Sequence, residues 1–371
     1  MTDNNKKNLS RRKFLGNTAA LAAVSMAPIS LIEAPYIQKK AAGGKVSSNF
    51  GGVQIGAITY SWRNMPGGLE NIIKYCKESG ISSVELMSGD LEDFLGAPKN
   101  PMMSMMRAPQ AAQPRPQGAQ PGQPAAGAQP AQAQAGQPAA QQAPRRPQMT
   151  PEQQEQINKY NQDLKAWRAG FDISKVAAAK KMMDDAGIKA HIVKFSPARW
   201  SDEEIDYAFK VAKAMGAKGV TDEVSEEAVK KLAPFAEKHG MYAVFHNHMQ
   251  FATPGFSYDP FLAVSPAVMM NFDMGHFFGS TGIHPNTILE KYHDRIFSVH
   301  IKDKTGPKTD PANMNQVWGQ GETPLADVLL LIKEKKWQLP CDIELEYDIK
   351  PWSNQVKETA TCVKYARQIL M

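Results

Sequence analysis

From Val53 onward the chain alternates short, strand-like runs with amphipathic helices, and this repeat restricts the fold more than any other feature. The strand-like runs are VQIGAITYSW (53–62), ISSVELMS (81–88), IKAHIVKFS (188–196), AKGVTDEV (217–224), MYAVFHNHMQF (241–251), AVMMNFDMGHF (267–277), RIFSVHIKD (295–303) and CDIELEY (341–347). Helices lie between them, with their own punctuation. One ends at Gly80 and another at Gly240. SDEEIDYAFKVAKAMG opens with Ser201 and Glu204 as a capping box and closes at Gly216. TPLADVLLLIKEKKW starts with Thr323 as N-cap and Pro324 at the first helical position. Eight such units, mostly spaced by roughly 25–30 residues, predict a closed (β/α)8 TIM barrel, a single α/β domain over 50–371. A doubly wound open sheet would bring a glycine-rich phosphate turn after an early strand, and the sequence has none.

Two segments stand apart from the repeat. SRRKFLG (10–16) is a twin-arginine pattern followed by an apolar run broken at Pro28, too short to span a bilayer. Residues 1–44 therefore read as an export leader, and the expectation is a soluble periplasmic protein with no membrane insertion after export. Residues 99–150 are rich in Pro, Gln and Ala after the second strand, with little to bury, and read as a disordered insertion within the barrel. These segments also carry the basic charge. Residues 1–44 hold seven Lys/Arg against two Asp/Glu, and 99–147 hold five basic residues and no acid, so the formal +6 of the whole chain leaves a mildly acidic body. Such a body argues against a nucleic-acid partner. Cys76, Cys341 and Cys362 lack paired spacing, sit in apolar patterns and read as buried thiols.

In a (β/α)8 barrel, chemistry gathers at the C-terminal ends of the strands. Those ends offer Glu223, then His246 and His248, then Asp273 and His276, then His300 with Lys302, and finally Glu344 with Glu346. His246 and His248 are two apart and share a face if the strand continues through both. The last strand puts Asp342, Glu344, Glu346 and Asp348 on one face and Cys341, Ile343, Leu345 and Tyr347 on the other. Acids on the inner face of a barrel repel one another and lose solvation unless something positive lies among them. One divalent cation meets that need. Carboxylates with imidazoles suit Mn²⁺, Co²⁺, Zn²⁺ or Fe²⁺ in preference to Mg²⁺. The candidate metal set is Glu223, His246, Asp273, His300 and Glu344.

FHNH, NFDMGHF, SVHIKD, WGQGETPL and IELEY resemble the xylose isomerase-like barrels, the sugar phosphate isomerase/epimerase superfamily. The resemblance implies a metal held by a Glu, Asp, His, Glu set, with Asp273, His300 and Glu344 in the last three places. It also implies that His276 contacts substrate. This chain has HNH where the family has a glutamate, so His246 stands in the first place and Glu223 can restore the missing carboxylate. The HNH form resembles the inosose dehydratase-like and 3-keto-glycoside lyase-like branches more than the classical epimerases.

The chemistry so implied begins with loss of a proton beside the carbonyl of a keto-sugar, through a metal-stabilised enediolate. His248, His276 or Glu346 is the candidate base, and Lys302 and Lys194 are candidates for holding substrate oxygens. Returning the proton elsewhere gives isomerisation or epimerisation, and expelling a β-oxygen gives elimination. The acidic body and the leader favour a neutral or oxidised sugar over a sugar phosphate. A DNA endonuclease and a non-catalytic sugar-binding barrel are the competing classes, and the oligomeric state, homo-oligomer included, stays open.

Overall fold

The computed structural model describes residues 46–101 and 149–371, all within one compact unit, Lys45–Met371. The expected export leader and nearly all of the expected insertion lie outside the described residues. Eight parallel strands form the wall: β1 Val53–Ile58, β2 Ser83–Met87, β3 Lys189–Lys194, β4 Gly219–Glu223, β5 Tyr242–His246, β6 Val268–Asp273, β7 Ile296–Ile301 and β8 Cys341–Ile343. Each pairs with its neighbour in sequence, and β8 also pairs with β1, so the sheet closes into the expected barrel.

Strand periodicity sorts the side chains into two environments. Val84 and Leu86, Met270 and Phe272, and Val299 and Ile301 are fully buried in the hydrophobic core. Each such side chain contributes about 1.5–3 kcal/mol by leaving water. The residues between them form a polar interior instead. Asn271 donates to Glu85 at 2.8 Å, Ser298 donates to Asn271 at 2.8 Å, and His300 meets Glu85 at 2.7 Å. The barrel is thus sealed by an apolar outer layer and lined by polar groups that bond to one another.

Several elements end sooner than their patterns suggest. β5 stops at His246, because the Asn247 amide bonds to both backbone groups of Asp273 in the next strand, at 3.0 and 3.1 Å. His248 is therefore on a bend, not on the strand beside His246. β6 stops at Asp273, whose carboxylate caps the helix Met274–Thr281 by accepting from the His276 N–H at 2.7 Å. β8 is three residues long. The Ser61 hydroxyl takes over beyond it, donating to Ile343 O at 3.1 Å and accepting from Leu345 N at 3.0 Å. The expected four-acid face is shorter as a result: Asp342 and Glu344 are buried, Glu346 is half-buried, and the Asp348 side chain is 89% exposed.

The helix punctuation is found in part. Ser201 and Glu204 form the capping box, and Gly80 and Gly240 end their helices in left-handed geometry. Thr323 is not a cap. Leu325–Lys335 has Pro324 at its N-cap position with no side-chain cap bond, and the Thr323 hydroxyl accepts from Lys304 N at 3.0 Å. Pro151–Ala169 is a helix that the repeat did not announce, opened by a Thr150–Gln153 capping box. It is held to the barrel by Arg168, buried between Glu92 and Glu204 and lying over the Trp200 ring. Cys76, Cys341 and Cys362 are buried and free, as expected. Among the described residues, no helix is long and apolar enough to cross a membrane.

Candidate metal centre and active site

The C-terminal ends of β5 to β8 bring together His246, Asp273, His300 and Glu344. One donor atom from each lies within 4.8 Å of the others, and all four residues are buried. Adjacency comes from strand register, which places Asp273 beside His300. His246 presents Nε2 to Asp273 Oδ2 at 3.4 Å, and both of these buried atoms lack a hydrogen-bond partner. Buried lone pairs without partners are costly. Two imidazoles and two carboxylates converging on such lone pairs make a donor set that fits a divalent transition ion. Four of the five expected ligands thus lie close enough together to hold one divalent ion.

The fifth, Glu223, sits behind His246. Its Oε2 is 3.2 Å from His246 Nδ1, the ring nitrogen turned away from Asp273. His300 repeats this arrangement. Nδ1 meets Glu344 at 2.8 Å on the site side, while Nε2 meets Glu85 at 2.7 Å on the other. A carboxylate behind each imidazole fixes its orientation and raises its basicity. Glu85 was not among the sequence-predicted residues. The available signal was an acid in the middle of VELM, on a strand otherwise fit for complete burial.

Lys302 is the cation among these acids, 2% exposed. Its Nζ lies 3.0 Å from Asp273 Oδ2 without aligning a hydrogen bond, 3.1 Å from Glu344, 2.6 Å from Glu346 and 3.0 Å from His276 Nε2. Burial would lower the Lys302 pKa, but Asp273, Glu344 and Glu346 outweigh it and raise it. Burial likewise would raise Asp273 and Glu344, and the neighbouring cations, Lys302 foremost, hold both well below the carboxylate range. Glu85 follows the same logic: burial opposes its charge, and His300 brings it down to about 2. Lys194 is committed elsewhere, its Nζ 2.6 Å from Glu223 Oε1.

His248 and His276 face each other as stacked rings, with centroids 5.0 Å apart and planes 9° from parallel. Their surroundings differ. His248, 53% exposed in its side chain, meets Glu223 Oε2 at 3.0 Å, and this bond raises its pKa. His276 is lowered to about 4, chiefly by burial. Stacked imidazoles with opposite shifts form a pair suited to giving and taking a proton. Every sequence-predicted residue thus reaches one mouth: four converge on the lone pairs, and Glu223, Lys194, His248, His276, Lys302 and Glu346 surround them.

The fold and this cluster define a (β/α)8 barrel with a metal-type donor set at its C-terminal mouth. The chain belongs to the xylose isomerase-like TIM barrel family, whose model matches residues 165–366. No curated protein sequence matches it. Among solved structures, it is similar to a xylose isomerase domain protein from Alicyclobacillus acidocaldarius (12% identity, TM-score 0.53, covering 86% of this chain and 98% of that one). It is also similar to the probable 3-DHS dehydratase AsbF of Bacillus anthracis (10% identity, TM-score 0.51, 84% and 98%). A third is a sugar phosphate isomerase/epimerase from Parabacteroides distasonis (17% identity, TM-score 0.50, 89% and 99%). At these identities the likeness is one of fold.

Proposed function

We propose that the protein is a metal-dependent enzyme of the isomerase/epimerase type, which removes a proton from the carbon beside the carbonyl of a keto-sugar. The observation that carries this reading is the pair of buried atoms without a hydrogen bond, His246 Nε2 and Asp273 Oδ2, inside a ring of four donors. His246, Asp273, His300 and Glu344 would hold a divalent ion, which would supply Lewis-acid withdrawal of electron density from the carbonyl. Glu223 and Glu85 keep the two imidazoles aimed inward. Lys302 provides a fixed positive charge where negative charge gathers on the sugar oxygen. Glu346, bonded to Lys302, and His276, against the same ammonium, are candidate bases for the departing proton. His248, paired with Glu223, is the third.

Family membership supports a carbohydrate substrate. The twin-arginine leader, proposed from Arg11 and Arg12, supports a neutral or oxidised sugar met after export. The exposure of His248 favours a second reading on the same residues. At the rim, backed by Glu223, it is placed to protonate a departing β-oxygen, which makes elimination from a 3-keto-glycoside the alternative outcome.

The test is proton exchange in D₂O. Full-length protein incubated with a panel of ketoses and 3-keto-glucosides is expected to exchange one C–H for deuterium, and chelation is expected to slow this at least about 100-fold, with recovery on adding Mn²⁺ or Zn²⁺. Exchange at full rate after chelation would refute the metal-dependent reading. Sugar binding with neither exchange nor product would leave a non-catalytic binding barrel.

A further inference from the structure

A groove of about 920 Å³, lined by Tyr60, Trp62, Met65, Ile72, Asp90 and Tyr160 among others, lies beside the β1 corner of the mouth. None of the groups placed above at the metal centre or at the proton lines it. Its wall is the turn Thr59–Trp62, which follows β1 directly. That turn also bonds to the backbone at and just beyond the end of β8. Ser61 bonds to Ile343 O and Leu345 N, on either side of Glu344. Arg63 lies over the Tyr60 ring at 4.4 Å and donates to Leu345 O at 2.7 Å. One short turn therefore has Glu344 on one flank and an aromatic groove on the other.

The rest of the rim continues this character. Met249, Met314 and Trp352, on the segments after β5, β7 and β8, are 54%, 47% and 78% exposed. Asn313, next to Met314, reaches Met249 Sδ at 3.1 Å, and the Asn315 amide extends to Glu346 O at 3.5 Å. Large apolar side chains left in water around a charged floor mark a surface that is covered when ligand binds. A free monosaccharide presents hydroxyls on every side and uses little of it. A sugar carrying a flat apolar group uses both parts. The charges lining the groove nearly balance, Arg63 and Lys99 against Asp90, Glu92 and Asp93, with Lys99 paired to Asp93, which gives little preference for a charged group there.

We propose that the groove binds the aglycone of a glycoside, an uncharged aromatic ring system, while the sugar occupies the metal centre. This rests on the keto-sugar reading above and narrows its substrate to glycosides with apolar aglycones. Tyr60, 38% exposed, is the accessible ring of the groove, and Met65 stands beside it.

The test compares binding of phenyl 3-keto-β-D-glucopyranoside and methyl 3-keto-β-D-glucopyranoside to full-length protein by calorimetry, with deuterium exchange run on both. The phenyl compound is expected to bind about tenfold tighter or more. In Tyr60→Ala the ratio of the two affinities is expected to fall below about threefold. Met65→Ala is expected to give a smaller fall in the same direction, with far-UV circular dichroism confirming that both variants fold. Equal affinities in the parent protein, or a ratio unmoved by both variants, would overturn the aglycone groove while leaving the keto-sugar reading in place if exchange is seen. A 3-keto-disaccharide that outbinds the phenyl compound would replace the aromatic group with a second sugar. Failure of both compounds to bind would overturn the two readings together.

Discussion

The two ends of the barrel each carry a histidine–carboxylate cluster, and they differ in what is left over. At the N-terminal end, Ser83 Oγ lies 2.9 Å from His191 Nδ1, and His191 Nε2 lies 2.9 Å from Asp342 Oδ2. Both ring nitrogens are engaged. The remaining Asp342 oxygen, Oδ1, is also buried without a hydrogen-bond partner, but it is pressed against Gly56, where an added Cβ would come within 2.1 Å of it, so no ligand fits between them. At the C-terminal end, His246 Nε2 and Asp273 Oδ2 are also buried and face each other without a hydrogen bond, Asp273 Oδ2 having only the Lys302 ammonium beside it at 3.0 Å. The same residue types make a sealed plug at one end and an open donor set at the other. The lesson is that residue identity names the chemistry a cluster can do, while unsatisfied atoms that converge with room for a ligand show where it is done.

The comparison breaks first if the open cluster is dispensable. Asp273→Asn keeps the helix cap, since asparagine caps as well as aspartate, but removes a charged donor. We expect proton exchange to fall by about 10³-fold, or about 4 kcal/mol of transition-state stabilisation, with bound metal lost and little change in stability. Normal exchange and metal content in this variant would remove the distinction between the two ends. The sealed cluster should respond the opposite way. His191→Leu leaves the Asp342 carboxylate buried without its partner and should cost about 3 kcal/mol, read as a lower urea midpoint. Exchange by the folded variant should stay within a few-fold of the parent. A loss of activity with unchanged stability would mean that the plug is not a plug.

The sequence makes these two clusters unequally visible. The barrel follows from periodicity and helix punctuation, which are local, so Ser201–Glu204 and Gly80 can be read without any tertiary contact. The mouth follows from counting strand ends, which brought His246, Asp273, His300 and Glu344 to one place. Strand ends themselves were less legible, because tertiary hydrogen bonds set them. Asn247 reaches across to Asp273 and ends β5 before His248, and Ser61 replaces the β8 ladder before Asp348. No periodicity encodes an amide bonding to the next strand. The roles within the site were blurred for the same reason. Glu223 could be placed at the mouth, but only the geometry puts it behind His246. Pro151–Ala169 escaped notice because its Thr150–Gln153 cap adjoins a low-complexity stretch that masks it.

Glu85 sharpens the comparison, because it belongs by position to the polar interior and by contact to the open cluster. It is fully buried on β2, its Oε2 accepting from Asn271 at 2.8 Å and facing His300 Nε2 at 2.7 Å. Glutamine in its place keeps the shape and leaves a carbonyl that can still accept from the imidazole. What it removes is the negative charge that makes the opposite nitrogen, Nδ1, a strong donor. The effect should therefore fall on metal affinity and spare the fold. We expect Glu85→Gln to weaken binding by about 10–100-fold, or about 1.4–2.7 kcal/mol, in a competition titration against a chromophoric chelator. The urea midpoint should move less than in His191→Leu, since no charge is left without a partner. If metal affinity is unchanged while stability falls, Glu85 belongs with His191 and Asp342 as part of the sealed interior, and the boundary between the two clusters lies above it, at His300.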